Sequence, residues 1–164
     1  MFFKSTVIPR AFYYAERGVI GIEKKMSYAE TIASIMLFAS GLFTIERGIF
    51  WIMENGRSIL DSTLYTTLNY AMPLWCWGAI FTLSGLLVIG ASLTLPKRDT
   101  TISFAWFLLI GGLGSSVAYF IITIAGFGNA VNWLTPVQYI TLSGMNGMLA
   151  FLGGLRVWQM KGMY

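Results

Sequence analysis

The stretch Thr31–Met53, TIASIMLFASGLFTIERGIFWIM, constrains this chain more than any other. It is long enough to cross a hydrocarbon core of roughly 30 Å as a helix. Near its end it carries an adjacent acid and base, Glu46 and Arg47. Ionised side chains are expensive at membrane depth, so this pair is the most informative polar feature of the chain.

Three further apolar stretches of similar length follow, at 73–95, 102–127 and 137–157. With 31–53 they predict an all-α integral membrane protein, a four-transmembrane-helix bundle over residues 31–157. The composition agrees. Hydrophobic residues make up 56% and charged residues 11% of 164, where a soluble domain carries about 25% charged residues.

Residues 1–30 read as a separate amphipathic segment lying in the membrane interface. Phe12, Ala15, Val19 and Ile22 fall on one side of a helix, and Arg10, Arg17 and Lys24 recur every seven residues on the other. A second short interfacial helix is expected in the connection 54–72, where Leu60, Leu64, Leu68 and Met72 repeat every four residues. Residues 158–164 form a short tail. The run of apolar sequence begins too late and is too long for a cleavable signal, so none is expected.

Topology follows from the basic residues. The N-terminal segment holds Lys4, Arg10, Arg17, Lys24 and Lys25, the middle loop holds Lys97 and Arg98, and Arg156 and Lys161 lie at the end. Four crossings put all three groups on one side, so both termini are expected in the cytoplasm. The net charge of +4 then reads as topology signal and contact with anionic lipid, chiefly through Arg10, Arg17, Lys24, Lys25, Lys97 and Arg98, and nucleic acid is not expected as a partner. Trp51, Trp75, Trp77 and Trp133 are expected to form an aromatic belt at the outer face.

Helices in lipid associate through close backbone approach and polar contacts, which small residues at helical spacing permit. Gly78 and Gly85 mark such a stripe in the second stretch, Gly111 and Ser115 in the third, and Gly147 and Gly154 in the fourth. Counting rise from each span's centre puts Glu46, Arg47, Tyr119, Ser143 and Asn146 near one depth, a candidate polar layer. Three readings of Glu46 and Arg47 stand open: charges at the headgroups, an ion pair locking helices or subunits together, or a proton- or cation-binding site.

Enzyme chemistry finds no foothold. There is no histidine, one cysteine (Cys76), and no phosphate loop or nucleophile motif, so no catalytic residue, metal or cofactor is expected. The expected function is association: an accessory subunit or assembly factor of a larger membrane complex, or a homo-oligomer. Small size, several spans and basic ends resemble the phage-holin class, which implies a membrane-permeabilising oligomer. Glu46 loosely resembles the acid in the first span of small multidrug transporters, which implies a proton-coupled exporter. This chain departs from that family in its length and its clear Lys/Arg bias.

Overall fold

The computed structural model describes residues 26–54, 62–97, 102–130 and 132–161. The proposed interfacial segment with Arg10, Arg17, Lys24 and Lys25 lies outside the described residues, as does Arg98. Among the described residues the regular structure is all helix: α1 (Tyr28–Met53), α2 (Thr63–Ala71), α3 (Leu74–Thr94) with a 3-10 turn at Leu95–Lys97, α4 (Ser103–Asn129) and α5 (Leu134–Lys161). Three of them, α1, α3 with its terminal turn, and α4, are long and apolar enough to cross a membrane. The protein is therefore an integral membrane protein. Helix α5 is as long, but Gln138, Asn146, Arg156, Gln159 and Lys161 make it less apolar.

Local chemistry sets the helix ends. Ser27 and Glu30 form a reciprocal capping box at the start of α1: Ser27 Oγ accepts from the Glu30 amide at 3.2 Å and the Ser27 amide donates to Glu30 Oε2 at 2.8 Å. At the α2–α3 corner the Trp77 indole donates to the Leu68 and Met72 carbonyls, and the Asn69 side chain accepts from the Leu74 amide. These contacts satisfy groups that helix ends leave open. Pro96 cannot donate a helical hydrogen bond, and α3 tightens into its 3-10 turn there. Asn132 accepts from the Leu134 and Thr135 amides and starts α5.

The long helices pack in chain order, α1 on α3, α3 on α4 and α4 on α5. Consecutive partners run antiparallel, since Ser34 meets Ser92 and Ala105 lies beside Gly153. The start of α1, Lys97, the start of α4 and the end of α5 therefore share one end of the bundle. Short helix α2, in the connection where a second short helix was expected, packs at the opposite end and buries Leu64 and Leu68 in the core.

The aromatic belt also differs from expectation. Trp75 and Trp133 are exposed, but Trp51 is 1% exposed and Trp77 6%. Both fill the core where α2 caps the bundle, Trp51 edge-on to Tyr65 and Phe81. There the short helix α2 covers them with Leu64 and Leu68.

Candidate functional site

The most distinctive site is built where α1, α4 and α5 face one another. Two apolar core clusters occupy the two halves of the bundle, one around Trp51, Phe81 and Ile122, the other around Leu37, Val88, Ala91 and Leu108. Polar side chains lie buried around the level where these meet: Thr44 of α1, Ser84 of α3, Ser115 of α4, and Ser143 and Asn146 of α5. Tyr119 and Tyr139 lie one turn nearer the α2 end, and both are buried.

Arg47 reaches into this layer from α1. Its Nη1 donates to the Tyr139 hydroxyl at 2.6 Å, and its guanidinium carbon lies 5.1 Å from the Tyr139 ring centroid. Tyr139 in turn stacks on Tyr119, centroids 6.0 Å apart, and Tyr119 meets Phe81 at 4.7 Å. The contact bridges α1 and α5, which otherwise leave a seam between them. On one side of the bridge lies a cleft of about 370 Å³ lined by Phe43, Arg47, Gln138, Tyr139 and Thr141. On the other lies an apolar cleft of about 340 Å³ walled by Met36, Leu37, Phe104, Leu108, Met145 and Leu149.

Of the five residues expected in the polar layer, Tyr119, Ser143 and Asn146 are buried, and Arg47 is half-buried with its guanidinium on Tyr139. Glu46 is exposed on the outer face of α1, among Leu42, Phe43, Ile49 and Phe50, which are exposed as well. Neighbouring positions on a helix point about 100° apart, so Glu46 and Arg47 do not face each other. Among the described residues no ion pair joins them. Several polar atoms of the layer are buried without a hydrogen-bond partner: Ser115 Oγ, Tyr119 Oη and Asn146 Oδ1. The Tyr119 hydroxyl has Thr44 and Arg47 beside it.

The small residues do different things at different positions. Gly78 and Gly85 of α3 meet Gly48 and Gly41 of α1, and a Cβ built on any of them would fall within 2.8 Å of the facing carbonyl oxygen. Ser34 and Ser92 continue this seam at the same seven-residue spacing, each hydroxyl donating to the other's carbonyl, at 3.2 and 2.8 Å. The α4–α5 pair has a matching seam. There Ser116 and Ser143 exchange the same two bonds at 2.9 Å each, and Gly112 and Gly153 press on the facing backbone. Gly111 lies against Ser84 and Leu87 at the α3–α4 contact. Gly147 faces Ser116 Oγ at 3.2 Å, and Gly154 makes ordinary contact with Leu109. Lys97 is exposed at the basic end of the bundle.

Sequence reasoning did not single out Gly41, Gly48, Ser34 or Gly153. The seven-residue spacing of Ser34, Gly41 and Gly48 was a signal that could have found the first three. Among the described residues no cluster of His, Cys, Asp and Glu could hold a metal ion. The chain matches no family model, and neither the curated proteins nor the solved structures contain a match to it.

Proposed function

We propose that this protein works by helix–helix association in the membrane, as an accessory subunit of a larger complex or as a self-associating oligomer. In this reading it is a four-span bundle, with α5 as the fourth crossing and both termini cytoplasmic. The length of α5 and its antiparallel packing on α4 support the fourth crossing. The basic residues Lys97, Arg156 and Lys161, gathered at one end, support the orientation.

The observation that carries the reading is the contrast between inside and outside. Inside, each hairpin is held by a seam of glycines at near backbone contact and a reciprocal serine pair. Outside, long apolar side chains cover α1, α4 and α5. Such a body offers lipid or a neighbouring helix a broad contact surface and little else. The proton-coupled exporter draws no support from Glu46, because a carboxylate that gates transport belongs on the interior and this one faces out.

Extraction of the full chain from native membranes in mild detergent tests the proposal. A complex of defined stoichiometry, with itself or with other membrane proteins, is the expected result. A monomer that brings no partner would overturn it. Collapse of the membrane potential on induced expression would overturn the accessory-subunit form in favour of a permeabilising oligomer.

A further inference from the structure

Glu46 and Arg47 leave an electrostatic account open within one chain. Glu46 stands exposed on an apolar outer face. Arg47 has a tyrosine hydroxyl and a tyrosine ring beside it, and no carboxylate among the described residues. The two lie inside the helix that is long and apolar enough to cross a membrane, seven and six residues before its end, and opposite charges within a span gain by meeting because lipid solvates neither. Within the chain they cannot meet, being consecutive on one helix.

Their depths decide what can satisfy them. One residue of helix is about 1.5 Å of rise, so acid and base sit at nearly one level. Copies of a membrane protein that share an orientation place identical residues at identical depths. A second, parallel copy therefore brings its own Glu46 and Arg47 to the level where they are needed.

The face of α1 between the two charges has the form such contact takes. Met36, Ser40, Phe43, Arg47 and Phe50 recur at alternating spacings of four and three, the seam of a parallel coiled coil. Met36, Phe43 and Phe50 are exposed along it, and Arg47 is half-buried. On that register Glu46 flanks the seam, where a side chain reaches the partner helix. The Tyr139 hydroxyl accepts from Arg47, so its own proton is available to a carboxylate entering the cleft lined by Phe43, Arg47 and Thr141.

We propose that the Met36–Ser40–Phe43–Arg47–Phe50 face of α1 docks a second copy of this chain in parallel, with Glu46 of each copy seated on the partner's Arg47. The arrangement is isologous, with a twofold axis along the membrane normal. It rests on the association reading above and names the partner and the surface.

The test uses the full chain, labelled with donor and acceptor dyes, in phosphatidylcholine vesicles, with self-association read by energy transfer on dilution. Wild type is expected to associate. Glu46→Gln is expected to weaken association at least tenfold with thermal stability retained, because Glu46 is exposed and makes no hydrogen bond or ion pair among the described residues. The swap Glu46→Arg with Arg47→Glu is expected to recover association, since the charges still meet across the axis.

Association unchanged in Glu46→Gln would overturn the proposal and leave the association reading standing. A chain that is monomeric here but brings other proteins out of native membranes would do the same. A monomer with no partner of any kind would overturn both. If an acidic phospholipid holds Arg47 instead, native mass spectrometry will show it released by Arg47→Gln, with Glu46→Gln without effect on self-association, and the proposal falls.

Discussion

Gly48 and Gly78 face each other reciprocally across the first hairpin: a Cβ built on either falls 2.6 Å from the other's carbonyl oxygen. Thr82 Oγ1 crowds Gly48 and Ile52 Cγ1 crowds Gly78 as well, but the facing carbonyls and amides are backbone and cannot swing aside. Gly48→Ala and Gly78→Ala should each push α1 and α3 apart and cost about 1–3 kcal/mol. Gly144 of α5 has nothing within 4 Å of its Cβ position. Gly144→Ala should be neutral or stabilise by up to about 1 kcal/mol through helix propensity. Thermal unfolding in one detergent compares all three, and equal losses would remove the argument from close approach.

The two serine pairs predict coupling. Ser34→Ala and Ser92→Ala should each destabilise, and the double variant should lose less than the sum, because one hydroxyl pair is being removed. The coupling energy expected for a contact of this kind in a membrane is about 0.5–1.5 kcal/mol. Ser116 and Ser143 should behave alike. A double-mutant cycle on each hairpin measures this, and strict additivity would contradict it.

Two tyrosines in stacking contact should respond in opposite ways to loss of the hydroxyl. Tyr139→Phe removes the acceptor of the Arg47 hydrogen bond and should cost about 1–2 kcal/mol, while the ring still faces the guanidinium. Tyr119→Phe removes a buried hydroxyl that lies beside Thr44 and Arg47 but makes no well-formed hydrogen bond, and should be neutral or stabilising. Stability of the two variants side by side decides it.

The expected topology can be read by labelling. In a Cys76→Ser background, Lys97→Cys and Gln159→Cys should react with an impermeant thiol reagent from one side of the membrane, and Trp133→Cys from the other. All three positions are exposed at helix ends. Gln159 and Trp133 reacting from the same side would show that α5 does not cross.

How much of this was legible in the sequence depended on the kind of signal. Long apolar runs bounded by charge and proline located α1, α3 and α4 to within a few residues, because membrane thickness fixes helix length. The small-residue stripes of α3 and α4 include Gly78, Gly85 and Gly111, where a Cβ would meet the facing helix. Facing direction was harder to read. That Arg47 turns inward and Glu46 outward depends on which side of α1 meets α3, which the glycines at 41 and 48 determine, and charge draws the eye away from glycine. Tryptophan was misleading for a related reason. Rings suited to an interface also suit a core, and only the position of α2 separates the two for Trp51 and Trp77.

Both tight seams join long helices that are consecutive in the chain, α1 with α3 and α4 with α5. The first hairpin can therefore close while α4 and α5 are still being synthesised, and the contact between α3 and α4 then joins it to the second. The order of biogenesis is encoded in where the glycines lie. A substitution in the first seam would act while the nascent chain is entering the bilayer, so its harm would appear as failed insertion and degradation before any mature protein could be assayed.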